Sequence, residues 1–373
     1  MAGLTTTNND TSEMVAYGLQ RGASDWHFAA GEPLSLRISG AMCRCDGRDG
    51  AADFPISASE IEALMRNHVP ENLRGAFCEG QGSHLDTSDV MLGERFRFHF
   101  EWITTPTGLH LPSVVLRHIP SELPEMEDLG LPAGYQKLIH ALPPHGLILV
   151  TGASGSGKTT TLAASINYLN HHMAGKISTL EAPVEFVHRS AKSLVVHRSV
   201  GIDVPSFQKG IEAAMRSDPD VILVGEMRDH DTISAALSAA ETGHVVFASL
   251  HTNTAAGALS RILDAVPEGT RDQCRSMLAA SLRAVLAQRL VPKIEGGRVG
   301  AFEFMANTPA VASQIRENKL GQLRGIIKTG KDHHMVSLDQ SLKRLVVEKK
   351  ITRETALDFA DNRAELEQDL RIL

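Results

Sequence analysis

The sequence predicts two domains, a small α+β domain followed by a larger α/β domain built on a mostly parallel sheet. Three observations predict them. Beyond about residue 133, short apolar runs alternate with stretches of helical spacing, the βαβ rhythm of a parallel sheet covered on both faces. One strand-to-helix junction there, from Gly152 to Thr159, reads GASGSGKT, the pattern of a phosphate-binding loop. Between the two regions, IPSELPEMEDLGLP (119–132) carries three prolines and several acids, the composition of a linker. The expected boundaries are therefore 1–118, 119–132 and 133–373.

Bulk properties narrow the function classes. A chain of 373 residues, 42% hydrophobic and 22% charged, suffices for two ordinary cores. A net charge of −7 argues against non-specific binding along a nucleic-acid backbone, so no direct nucleic-acid partner is expected. No apolar run approaches bilayer length, and MAGLTTTNNDTSE at the N-terminal end lacks the basic and apolar regions of a signal peptide. Cys43, Cys45, Cys78 and Cys274 form no paired C-x-x-C framework, so neither structural zinc nor disulfides are indicated. The expected compartment is the cytosol, with any membrane link made through partners.

Taken in order, the N-terminal region offers strand candidates at 34–38, 95–102 and 113–117. It also offers a helix at 57–68, where Ser57 and Glu60 have capping-box spacing. In the second region the strand candidates are 147–150, 177–180, Val221–Val224 and Val245–Leu250, with helical patterns at 160–170 and 231–241. After about Pro309 the spacing is helical to the end, a terminal helical subdomain.

The chemistry gathers at the ends of those strands. Gly152, Gly155 and Gly157 allow a tight turn that aims backbone N–H groups at one anion, with Ser154, Ser156 and Thr160 lining it. The helix N-terminus behind adds partial positive charge. Lys158 reaches the β- and γ-phosphates, and the Thr159 hydroxyl is a ligand for Mg²⁺. A chance match in a chain of this length is an event of about one in a hundred. The chain is thus expected to bind a nucleoside triphosphate, ATP, with Mg²⁺.

DPDVILVGEMRD (218–229) supplies an apolar strand ending in Glu226, where a carboxylate can hold Mg²⁺ directly or through water; the bland alternative is an exposed acid after a strand. TLEAPVEF (179–186) brings Glu181 out of another strand toward the same sheet edge, where an attacking water needs a base. Glu185 is either a helper or a solvated loop acid. TGHVVFASLHTN (242–253) brackets a strand with His244 and His251. If that strand neighbours the one bearing Glu226, His251 lies near the γ-phosphate and His244 at the far end, nearer a domain or subunit contact. Their spacing does not suit zinc.

With these residues in hand, the chain resembles the secretion ATPase superfamily, the motors of type II and type IV secretion and of type IV pili. GASGSGKT, TLEAPVEF, DPDVILVGEMRD and ETGHVVFASLHTN are similar, in order, to its Walker A, Asp box, Walker B and His box. ASDWHF (23–28), RFRFHF (95–100), VVLRHIP (114–120), SLRAVLAQRL (281–290) and SLDQSL (337–342) also fit, so the resemblance spans nearly the whole chain. Within the superfamily the best match is the PilT-like branch of pilus retraction ATPases, since the chain starts almost directly at ASDWHF and has no four-cysteine insertion. PAVASQIRENK (309–319) looks like a divergent form of that branch's I-R-E-G-K segment.

The resemblance implies a RecA-like ATPase domain behind a PAS-like domain. It implies a homohexamer in the cytoplasm that works on an inner-membrane platform protein, with peripheral membrane association through that partner. It assigns Glu181 as general base, and Arg95, Arg97 and Arg117 as groups sensing nucleotide where one subunit meets the next. Three departures stand out. Ala182 occupies the usual aspartate of the Asp box, Asn318 replaces a glycine, and EWITTPTGLH (101–110) lacks an arginine often found after the R-F-R strand. The expected function is retraction of a type IV pilus. An ATPase for type IV secretion or conjugation, or a weakly hydrolysing accessory subunit, is the alternative.

Overall fold

The computed structural model describes residues 11–48, 52–78, 84–105, 108–119, 123–142 and 144–371. The chain forms two compact units. One comprises Met1–Glu122 with Ala182–Phe186, the other Leu123–Glu181 with Val187–Leu373.

The first unit begins with α1 (Thr11–Gln20), β1 (Ala23–Ala29), β2 (Ser35–Ile38) and β3 (Ala41–Arg44). It continues with α2 (Ala58–His68), α3 (Glu71–Cys78), β4 (His84–Met91), β5 (Glu94–Thr104) and β6 (His110–Ile119). Its six strands form an antiparallel sheet in the order β3-β2-β1-β6-β5-β4. Strand β5 shows why. Period-two alternation places Phe96, Phe98 and Phe100 in the core and Arg95, Arg97 and His99 on the opposite face. Trp26 of β1 packs edge-on against Phe96 and donates its indole N–H to the Met14 carbonyl at 3.3 Å. Gly18 permits that approach, since a Cβ there would lie 2.1 Å from Trp26 Nε1. The Ser57–Glu60 capping box closes α2 as the spacing predicts.

The second unit runs α4 (Ala133–Ala141), β7 (Gly146–Thr151), α5 (Lys158–His172), β8 (Lys176–Glu181), β9 (Leu194–Ser199), α6 (Phe207–Met215), β10 (Val221–Val224), α7 (His230–Glu241), β11 (Val245–Leu250), α8 (Ala255–Asp264), α9 (Arg271–Ser281), β12 (Leu282–Pro292) and β13 (Arg298–Ala306). It ends in α10 (Pro309–Arg316), α11 (Leu323–Thr329), α12 (Leu338–Val347), α13 (Arg353–Phe359) and α14 (Arg363–Arg371). The sheet order is β13-β12-β7-β11-β10-β8-β9, with every pair parallel except β12–β13. Every residue of β7, β10 and β11 is buried because helices cover both faces. Leu147, Leu149, Val224 and Val246 enter one core, while Ile148, Val150, Leu223 and Phe247 enter the other. This is the two-domain RecA-like architecture.

The structure adds elements that sequence reading did not reach. The first unit has further helices in α1 and α3, and further strands in β1, β3 and β4. The second adds β9 and the β12–β13 hairpin. Within 119–132, Met126 and Leu131 are buried in the second unit's core, so that stretch is anchored there; 120–122 lie outside the described residues. Asn318 has φ 57°, the left-handed conformation that glycine and asparagine tolerate best. Replacing glycine by asparagine therefore keeps the backbone turn after α10.

Candidate nucleotide site

The phosphate loop lies between β7 and α5. Gly152 allows close packing, because a Cβ there would lie 2.4 Å from the Gln288 carbonyl oxygen. Gly157 caps α5 at φ 89°, in the left-handed region. The first amides of α5, on Lys158, Thr159 and Thr160, have no intrahelical acceptor and face the loop's concavity as a helix N-terminus does. Lys158 is 9% exposed, and its Nζ donates to the Gly152 and Ala153 carbonyls at 2.9 and 3.0 Å, so the ammonium lies across the loop. Among the described residues the buried Ser156 hydroxyl has no hydrogen-bond partner, and it is a donor suited to a phosphate oxygen.

Gln288 of β12 fixes the far side of the loop. Its Nε2 donates to the Ser156 carbonyl at 2.7 Å, and its Oε1 accepts from Thr161 Oγ1 at 3.0 Å. Only a side chain with both a donor and an acceptor can make that bridge.

Glu226 and His251 leave the C-terminal ends of adjacent parallel strands, β10 and β11. That adjacency meets the condition set for His251. The Glu226 carboxylate is ion-paired with Arg228 Nε at 2.8 Å and lies 3.4 Å from His251 Nε2. Thr252 is held beside the loop, its N–H donating to Thr151 Oγ1 at 3.0 Å while that hydroxyl reaches the Thr252 carbonyl at 2.6 Å. Ser154, Met227, Arg228, His251, Thr252 and Arg261 are among the residues lining one cavity of about 360 Å³. Glu181 ends β8, the strand on the other side of β10, and is 7% exposed. Gly225 makes room for it, since a Cβ there would come within 3.3 Å of the Glu181 Cα.

His244 lies at the opposite end of β11, where its backbone N–H donates to the Ala239 carbonyl and its Nδ1 lies 3.0 Å from the same oxygen. Its carbonyl accepts from Gly146 N–H, so it ties the α7–β11 turn to β7.

Arg95, Arg97 and Arg117 belong to the first unit. Arg117 Nε donates to the buried Asp25 carboxylate at 2.7 Å. Burial alone would raise the Asp25 pKa, but the hydrogen bonds from Arg117 and Ser24, together with the nearby positive charge, hold it below the ordinary carboxylate range. Arg97 approaches Asp86 at 3.3 Å and Glu185 at 3.7 Å. Arg95 donates to Ser88 Oγ at 2.8 Å and to the Val184 carbonyl at 3.2 Å.

Sequence reading missed Arg228, Arg261 and Gln288. Arg228 stands two residues after Glu226, inside a motif already singled out. Gln288 had a weaker signal, a polar residue directly after the apolar run 284–287.

Comparison with known proteins identifies the family. Residues 89–357 match the family described as "Type II/IV secretion system protein". The chain is 41% identical over 354 residues to the "Type IV pilus retractation ATPase PilT" of Pseudomonas aeruginosa, covering 94% of this chain and 98% of that protein. It is 41% identical over 345 residues to a "Twitching motility protein" of Neisseria gonorrhoeae, covering 92% and 88%. A crystal structure of the pilus retraction motor PilT with bound ADP superposes with a TM-score of 0.83 at 37% identity, covering 96% of this chain and 98% of that one.

Proposed function

This chain belongs to the type II/IV secretion system protein family and is a nucleotide-binding ATPase, and we propose that it is the motor that retracts a type IV pilus. One observation carries the chemical reading. Glu226 and His251 emerge from adjacent strand ends and lie 3.4 Å apart, and His251 lines a cavity that the phosphate loop also lines through Ser154.

The proposed roles follow from that placement. The amides after Gly152, with Ser154, Gly155, Ser156, Gly157 and Thr160, cradle the phosphates, and Lys158 neutralises the β- and γ-oxygens. The Thr159 hydroxyl and the Glu226 carboxylate, the latter through water, are hard oxygen donors of the kind that hold Mg²⁺, which offsets charge on the transferred phosphoryl group. Glu181 takes a proton from the attacking water. His251, Arg228 and Arg261 face the γ-phosphate end, where positive groups stabilise the charge of the transition state.

Assembly extends the reading. In a homohexamer, Arg95, Arg97 and Arg117 of a neighbouring copy would respond to loss of the γ-phosphate, turning hydrolysis into movement of rigid units around the ring. The ring would act in the cytoplasm on a platform protein of the inner membrane. Among the described residues no helix is long and apolar enough to cross a membrane, which supports attachment through that partner.

Ala182 supports a second reading, an accessory subunit that binds ATP and hydrolyses it weakly. Deleting the gene in a piliated host separates the two. A retraction motor leaves surface pili accumulated and surface motility lost, and Lys158→Ala fails to restore it. Restoration by Lys158→Ala favours the accessory role.

A further inference from the structure

Among the described residues of the second unit, the roles proposed above leave one buried carboxylate unused. Glu303, in β13, is 5% exposed. Its Oε1 accepts from the backbone N–H of Ala255 at 2.7 Å, the first residue of α8. Such an amide has no partner within its own helix, and a carboxylate there also meets the positive end of the helix dipole.

The sheet register shows what this bond belongs to. Thr151 of β7 lies opposite Ala287 of β12, and Ala287 lies opposite Glu303 of β13. Residues in register across a sheet project from the same face, so Thr151, Ala287 and Glu303 form one row at one level. The segment Thr252-Asn253-Thr254-Ala255 is fastened to both ends of that row. Thr151 Oγ1 binds the backbone of Thr252, and Glu303 Oε1 binds the backbone of Ala255. The small Ala287 separates the two fasteners. Thr254 caps α8 by accepting from Gly257 N–H at 3.0 Å, so the helix starts from a fixed point. His251 precedes the fastened segment and Arg261 follows it in α8, and both line the cavity beside the phosphate loop.

We infer that Glu303 is a positioning residue for ATP hydrolysis, a clamp on the start of α8 that holds His251 and Arg261 at the nucleotide cavity. This inference rests on the ATPase reading. Keeping a carboxylate at a buried position is unfavourable unless its bonds compensate. Burial indeed pushes its pKa above the ordinary glutamate value, and Asp361 adds to that. The Ala255 N–H and the positive charges of Arg289 and Arg324 oppose it. A neutral acceptor would make a weaker bond to the amide, because charge-assisted hydrogen bonds are roughly twice as strong.

The test uses the full chain, with Glu303→Asp and Glu303→Leu beside wild type. The aspartate keeps the charge but withdraws it from the Ala255 amide; the leucine removes the acceptor. Steady-state hydrolysis should fall about tenfold in Glu303→Asp and further in Glu303→Leu, since displacements of about 1 Å at a reacting centre are worth up to about 100-fold. The dissociation constant of a fluorescent ATP analogue should stay within about twofold, because the loop's own contacts are untouched. Hydrogen–deuterium exchange should rise in a peptide covering 251–257 and stay unchanged in one covering 152–160. Wild-type turnover in folded Glu303→Asp overturns the inference. So does a parallel loss of binding and turnover, which marks a merely structural role. If Glu303→Leu fails to fold, Glu303→Asp decides alone. If wild type hydrolyses no more ATP than Lys158→Ala, the ATPase reading fails, and the exchange measurement still reports on the clamp.

Discussion

The two sheets of this chain handle polar residues in opposite ways. In the antiparallel sheet of the first unit, charge runs across one face. Asp25, Arg117, Arg97 and Ser88 lie in register on β1, β6, β5 and β4, behind a core face of Phe96, Phe98 and Phe100. In the parallel sheet, β7, β10 and β11 are buried along their whole length, and the groups that carry chemistry lie at or beyond strand ends. An antiparallel sheet with one open face can distribute charges and let them pair locally. The central strands β7, β10 and β11, covered on both sides, leave charged groups only the ends, where Glu226, His251 and the phosphate loop lie beside Glu181 at the end of β8. Covering both faces is thus what concentrates the chemistry.

That contrast predicts that substitutions in the two sheets fail differently. The largest effect belongs to Lys158→Ala, which should lower ATP turnover at least about 100-fold while the melting temperature changes little. Turnover is read by phosphate release and folding by differential scanning fluorimetry; a large stability loss would show that the loop lysine holds the fold. Arg117→Ala should behave in the reverse manner for stability. It leaves Asp25 buried without its guanidinium and should destabilise the first unit by about 1–3 kcal/mol. Because the folded Asp25 pKa is depressed, this contribution is present above the unfolded carboxylate value of about 3.9 and disappears as pH falls through the lower folded value. Wild type and Arg117→Ala should therefore converge in stability in strong acid, and a gap that persists there contradicts the ion-pair account.

Gln288→Leu should produce the smallest change. Losing the bridge between Ser156 and Thr161 loosens the loop without removing a phosphate ligand, and nucleotide affinity should fall about tenfold, some 1.4 kcal/mol. Equal affinity in titrations with a fluorescent ATP analogue would show that the loop holds its shape without β12.

Much of the second sheet was legible in the sequence because its strands are continuous apolar runs bounded by motif residues. Strand Val221–Val224, for example, was read to the residue. The hairpin of β12 and β13 was not. SLRAVLAQRL is rich in leucine and alanine, which serve a helix as readily as a strand, so periodicity does not decide it. Missing that hairpin also hid Gln288 and Glu303, since their importance comes from register with β7 rather than from nearby sequence. In the first unit, β1 was seen only as the signature ASDWHF, and Asp25 gained its meaning from Arg117, far along the chain. Ala182 stood out as a departure from the family pattern. In the structure it is exposed, while the neighbouring Glu181 remains buried at its strand end.

The residues at the ends of the parallel strands are proposed to form a working hydrolytic centre despite Ala182. The most direct measurement is single-turnover hydrolysis of ATP with Mg²⁺ by wild type and by Glu181→Gln, at protein concentrations where both are saturated with nucleotide. Glu181→Gln should bind ATP as wild type does and cleave it at least about 100-fold more slowly. Equal cleavage rates in the two proteins would contradict that proposal.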